Sequence, residues 1–159
     1  MRPMRRKDRQ VTDPGIIEDI LSRCTVCRLG LRDGDQVYIV PLNFGWEAED
    51  GRYTFYFHGA AEGRKLDLLR ANGRAGFELD TGYRLHPADR ACGWSTAFQS
   101  IIGEGPVSFV EDPAEKRRAL GRILVHNTGR EDWEFPDAML NATCVYRLTA
   151  EELSCKEHE

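Results

Sequence analysis

No apolar run in this 159-residue sequence approaches the roughly 20 residues that span a bilayer, and the mean hydropathy is −0.51. No membrane partner is therefore expected. Positive charge is not in excess: 22 Lys and Arg stand against 26 Asp and Glu, a formal net charge of −4. That balance argues against a nucleic-acid partner held by overall charge. Residues 1–10 are basic and lack the apolar stretch of a secretory signal, so the expected location is cytoplasmic. Internal repeats and low-complexity segments are missing as well.

The cysteines exclude more than they offer. Five of them, Cys24, Cys27, Cys92, Cys144 and Cys155, make an odd number in a chain long enough to build its own core. A disulfide framework is not expected, and reduced thiols suit the cytoplasm. Cys24-Thr25-Val26-Cys27 has C-x-x-C spacing, but no second close pair accompanies it. His58, His86, His126 and His158 are scattered, so no structural metal site is expected. The pair follows a helical stretch instead of opening a helix, which reads as two buried thiols at a helix-to-strand turn. No Ser-His-Asp or Cys-His order stands out to support nucleophilic hydrolysis.

What is present is an alternation of short strands with a few well-marked helices. Asp13-Pro14 opens a helix with Ile16, Ile17, Ile20 and Leu21 on one face, closing near Cys24. A second helix is expected over 62–71, stopped by Asn72-Gly73. A third starts at Asp112-Pro113-Ala114-Glu115, with Asp as N-cap, Pro at the first helical position and Glu three residues after the cap. A short fourth lies near 138–141. Strands are expected over 26–31, 37–43, 53–58, 75–79, 98–110 and 143–148, the fifth bent at Gly103 and Gly105. Residues 81–96 read as irregular. Turns at Asp33-Gly34-Asp35 and Glu49-Asp50-Gly51 require antiparallel pairing, and the missing strand–helix alternation excludes a doubly wound parallel sheet. The fold class is mainly β (α+β), a six-stranded antiparallel barrel with flanking helices. Residues 1–12 form a basic arm, 13–150 the domain and 151–159 a tail.

Three stretches carry the chemistry. In Tyr56-Phe57-His58-Gly59-Ala60-Ala61-Glu62-Gly63-Arg64-Lys65-Leu66 a strand runs through small residues into a helix start. Free N–H groups there, with Arg64 and Lys65 in the first turn, suit a phosphate. The same residues also fit a solvated helix start with surface charges. In Tyr38-Ile39-Val40-Pro41-Leu42-Asn43-Phe44, Pro41 removes a ladder donor and leaves backbone groups for a ligand or simply marks an edge strand. Asn43 can donate and accept toward a polar heterocycle. Gln99 and Ser100 interrupt an apolar strand beside Gly103, either toward a ligand or as an outward face. His58 can serve as acid or base near neutral pH, or as a structural histidine.

Taken in order, Pro41-Leu42-Asn43-Phe44, Phe57-His58-Gly59-Ala60 with Gly63-Arg64-Lys65-Leu66-Asp67, Ser100-Ile101-Ile102-Gly103-Glu104-Gly105, and Asp112 with Glu115-Lys116 and Ala119-Leu120 resemble the pyridoxamine 5'-phosphate oxidase-like flavin-binding proteins. The branch most resembled is that of the 5-nitroimidazole-resistance proteins. Met4-Arg5-Arg6-Lys7-Asp8-Arg9 and Ile20-Leu21 extend the likeness over almost the whole chain. The resemblance implies a Greek-key split β-barrel and a homodimer with FMN at the subunit interface. It implies that Pro41, Leu42, Asn43 and Phe44 run along the flavin ring through backbone groups. His58, Gly59 and Ala60 would lie near the ribityl chain, Lys65 and Arg64 on the phosphate, and Gln99 and Ser100 against the flavin. His58 would be the proton donor of an oxidoreductase acting on a small organic substrate such as a nitro-aromatic. A flavin-storage protein without turnover, or a relative holding haem or a deazaflavin, are the alternatives. Phe98-Gln99-Ser100-Ile101 stands where branch members often carry aromatic-Arg-Ser-Val, and Ser154-Cys155-Lys156 replaces a Thr-Gly-Lys pattern.

Overall fold

The structure, a computed structural model, describes residues 3–159; the first two residues of the expected arm lie outside the described residues. A 3-10 turn at Lys7–Arg9 leads into β1 (Gln10–Val11). The Asp13 side chain accepts the Ile16 amide at 3.1 Å and Pro14 opens α1 (Pro14–Arg23), which buries Ile17, Ile20 and Leu21. β2 (Cys27–Asp33) and β3 (Gln36–Leu42) pair through a tight turn with Gly34 at φ 61°. β4 (Gly45–Glu49) and β5 (Arg52–Gly59) pair through Asp50 and Gly51, both at positive φ, the conformation that short hairpin turns require.

α2 (Arg64–Asn72) stops at Gly73 in the left-handed region. β6 (Arg74–His86) and β7 (Ser95–Val110) form the longest ladder. α3 (Pro113–Thr128) begins where Asp112 accepts the Glu115 amide at 2.9 Å, and α4 (Asp137–Ala142) follows. β8 (Cys144–Thr149) and β9 (Glu152–His158) complete the chain.

The sheet runs β3-β2-β6-β7-β8-β5-β4, antiparallel at every pairing. β7 divides its partners: its first half pairs with β9 and its last residues with β8. The division falls at two glycines. A Cβ on Gly103 would stand 2.2 Å from the Glu152 carbonyl, and one on Gly105 would stand 1.9 Å from the Thr149 carbonyl. Only a bare Cα leaves room for the chain to pass from β8 to β9 against β7 there. β3 and β4, consecutive in the chain, are the two ends of this path, and β1 is the edge of the branch that β9 adds to β7.

The antiparallel split barrel with flanking helices is therefore the fold, with all six anticipated strands present and three more added. β4 is too short and too acidic to show alternation, and it forms because the Asp50-Gly51 turn folds it onto β5. β1 pairs with β9, and β9 lies along β7, so residues 152–158 extend the sheet instead of forming a tail beyond it. The arm likewise ends in a strand. Residues 81–86, expected irregular, continue β6 past a register shift between Thr81 and Arg84, with Gly82 at φ 68°.

Inward side chains from both halves of the sheet, among them Leu29, Leu31, Phe55, Phe57, Phe77, Leu79, Ile101, Tyr146 and Leu148, pack with Ile20 and Leu21 of α1. A second cluster, including Tyr56, Val110, Ala119, Leu120, Ile123 and Leu140, seats α3 and α4. Cys24, Cys27 and Cys155 are free, buried thiols, and burial pushes Cys24 up to about 12 and Cys155 to about 11. No helix among the described residues is long and apolar enough to cross a membrane.

Candidate functional site

β5 delivers His58 and Gly59 to one end of the sheet, where residues 60–62 turn the chain into α2. Gly63 is the N-cap at φ 125°, a conformation glycine adopts freely, and no side chain caps the helix. The Leu66 and Asp67 amides donate to the Gly63 carbonyl, which leaves the Arg64 and Lys65 amides at the helix start without a side-chain cap. The two basic residues of this turn differ in circumstance. Arg64 is satisfied: its Nη2 lies 2.6 Å from Asp33 and its guanidinium stacks 4.6 Å from the Tyr38 ring centroid.

Lys65 is different. It is partly buried, its Nζ lies 5.8 Å from the Tyr146 ring centroid, and a Cβ on Gly59 would come within 3.3 Å of it. No carboxylate pairs with it among the described residues, while Arg6, Arg23, Arg28, Arg64, Arg70, Arg74, Arg117, Arg118, Arg122, Arg130 and Arg147 all have acidic partners. Desolvation pushes the Lys65 pKa below the usual lysine value, with the Cys144 thiol as the minor opposing influence. His58 is exposed, yet partial desolvation and the neighbouring Lys65 charge push its pKa below the usual histidine value. Below them Tyr146 is fully buried, stacked on Phe57 with centroids 5.4 Å apart, and its hydroxyl has no partner. An uncompensated ammonium, uncapped helix amides and a bare Cα lie beside the His58 imidazole, groups whose chemistry suits a phosphate monoester. The phosphate of a flavin nucleotide fits these residues.

The segment at the end of β3 lies elsewhere on the sheet. Pro41 pairs in register with Arg28 and faces outward, and Leu42 ends the strand. The Phe44 ring is wholly buried, 4.4 Å from the His126 ring centroid and 6.1 Å from that of Phe55, so its side chain belongs to the core. Asn43 is exposed and donates to Asn127 at 3.3 Å. Gln99 donates to Glu157 at 2.6 Å, and Ser100 lies in register between Asp80 and Lys156.

The structure brings together His58, Gly59, Ala60, Arg64 and Lys65. Gln99 and Ser100 lie toward the opposite end of β7 from the residue that registers toward His58. His58 is in register with Val145, and Val145 with Val110, but from Gln99 to Val110 the strand runs on the order of 30 Å. Sequence reasoning missed Tyr146 and Cys144 beneath the lysine, Glu157 against Gln99, and Asn127 against the β3–β4 corner. None of these has a local signal, since each acts across a long chain separation. The one hint was the polar His126-Asn127 pair ending an apolar-striped helix.

A family model for pyridoxamine 5'-phosphate oxidase matches residues 13–157. Among solved structures, a candidate 5-nitroimidazole antibiotic resistance protein from Bacteroides thetaiotaomicron is similar at 29% identity, covering 93% of this chain and 86% of that one with a TM-score of 0.80. A flavocytochrome from Azotobacter vinelandii shares the fold at 21% identity and a TM-score of 0.80, covering 99% of this chain and 72% of that one. An FAD- and haem-binding protein from Mycobacterium smegmatis does so at 19% and 0.78, covering 95% and 74%. No functionally curated protein matches the sequence. With the split barrel in place and the family model spanning nearly the whole chain, the protein belongs to the flavin-binding pyridoxamine 5'-phosphate oxidase-like family.

Proposed function

We propose that this chain binds FMN and works as an FMN-dependent oxidoreductase in the cytoplasm, reducing a small organic substrate such as a nitroimidazole or another nitro-aromatic. The observation that carries the reading is Lys65, a partly buried ammonium without an acidic partner at an open helix N-terminus. In this reading Lys65 and the α2 amides hold the phosphate, and Arg64, bound to Asp33, adds positive field. His58, Gly59 and Ala60 lie along the ribityl chain, and the backbone of Pro41, Leu42, Asn43 and Phe44 follows the ring. When bound, the flavin supplies the two-electron chemistry. His58 is the proton donor of this reading in its imidazolium form, and because its pKa lies below the usual histidine value that form gains population as pH falls, so turnover should rise toward acid pH. The nitro-aromatic assignment is supported by the likeness to the Bacteroides protein.

A homodimer completes the reading. Val37 and Ile39 are 75% and 62% exposed on the outer face of edge strand β3, beside the side-chain-free Gly30 and Gly76. Such an apolar face at a sheet edge suits a second copy. In this reading the second copy also supplies Gln99 and Ser100, which lie toward the opposite end of β7 from the residues beside Lys65.

The test is an absorption spectrum of purified protein before and after adding FMN, with the bound flavin quantified, followed by anaerobic reduction and addition of a nitroimidazole. One FMN per chain whose reduced form is reoxidised by the nitro compound supports the reading. Flavin bound without turnover makes this a flavin-binding protein only. A Soret band replaces flavin by haem, and absence of any bound chromophore overturns the site.

A further inference from the structure

The corner between edge strands β3 and β4 is fastened by the end of α3. A Cβ on Gly45 would stand 2.4 Å from the backbone of Arg122 and Ile123, so β4 starts directly against the helix. His126 sets its ring 4.4 Å from Phe44 and its Nε2 2.7 Å from the Cys24 carbonyl. Asn127 ties the corner by three contacts. Its Nδ2 lies 3.0 Å from the Phe44 carbonyl and 2.7 Å from the Ile123 carbonyl, and its Oδ1 accepts from Asn43 Nδ2 at 3.3 Å.

These contacts leave Asn127 one orientation. Two carbonyl oxygens need the two N–H bonds of its amide, and the flipped amide would set oxygen against oxygen. Its Oδ1 must then face Asn43, and Asn43 must turn its NH2 inward to meet it. With one N–H of its amide committed to Asn127, exposed Asn43 presents its Oδ1 as an acceptor at the corner, with the second N–H of the same amide beside it.

We propose that Asn43 is a specificity residue for a heterocycle whose polar edge carries an N–H donor, and that Asn127 is the positioning residue that presents its oxygen. The inference rests on the flavin reading, because the polar end of the flavin ring carries one imide N–H, at N3, between two carbonyls. It assigns the Asn43 oxygen to that N–H and needs no new bond-making step.

The test compares affinities for FMN and for 3-methyl-FMN, in which the N–H is replaced by N–CH3. The wild type should prefer FMN by about tenfold. Asn43→Ala, at an exposed position, should bind the two flavins equally. Asn127→Ala should bring the preference down to about twofold, because Asn43 is then free to turn. A purely structural Asn127 would weaken both flavins alike and leave the ratio at its wild-type value. Equal binding by the wild type, or an unchanged ratio in Asn127→Ala, overturns the proposal while the flavin reading stands. Wild-type protein that binds neither flavin overturns both.

Discussion

Lys65 Nζ stands so close to Gly59 that a methyl group on that Cα would come within 3.3 Å of it. The lysine is packed between a bare backbone and the Tyr146 ring, with its charge uncompensated by any carboxylate. A cation in that position costs the apo protein desolvation, and an anionic ligand recovers it.

Replacing the lysine should therefore separate binding from stability. Lys65→Ala should weaken FMN binding by about 10- to 100-fold, the range for a lost charge-assisted hydrogen bond, while thermal unfolding of the apo protein stays within a few degrees of wild type. Flavin fluorescence quenching and calorimetry check the two halves. Equal affinity in the variant removes Lys65 from the site.

The histidines give a pH signature with a definite sign. His58 and His126 both have pKa values pushed below 6.5, His58 by partial desolvation and Lys65, and His126 by burial against an opposing bond to the Cys24 carbonyl. A histidine whose folded value is depressed favours the neutral form, so its contribution is complete above the unfolded value near 6.5 and is lost as pH falls. Stability should decline below pH 6.5, and His126→Gln should flatten part of that decline. By NMR titration, His58 should move upward in Lys65→Ala, where the neighbouring charge is gone.

Two glycines should respond oppositely to the same substitution. Gly45→Ala places a methyl 2.4 Å from the α3 backbone and should cost about 2 kcal/mol or more, with the helix forced off the sheet. Gly121→Ala, within α3 with nothing inside 4 Å of the added carbon, should stabilise by about 0.5–1 kcal/mol. Denaturant midpoints of the pair check both signs.

Ile39→Arg should produce a monomer and weaken FMN binding together. The 62% exposed Ile39 lies on the outer face proposed for the second copy. Light scattering and flavin titration on one preparation decide it, and a dimer with full affinity places the interface elsewhere.

Local chemistry made most of this protein legible. The capping residues Asp13 and Asp112, each followed by proline, mark helix starts that the structure repeats to the residue. Asp50-Gly51 marks a hairpin, and Gly63-Arg64-Lys65 marks a basic helix start at the end of a strand. These features depend on residues within a turn of one another, where backbone conformation and capping act directly.

The sequence by itself determined six of the strands, the starts of α1 and α3 and the presence of two basic residues at one helix start. Only the tertiary structure decided which of those two is free. Arg64 is neutralised by Asp33 across the β2–β3 turn, and Lys65 is set over Tyr146 without a partner. It also decided that Phe44 is core, that residues 152–158 complete the sheet, and that Asn127 orients Asn43. The physical reason is the same in each case: these pairings join residues far apart in the chain. Their partners are chosen by sheet register and helix packing, which no local pattern encodes.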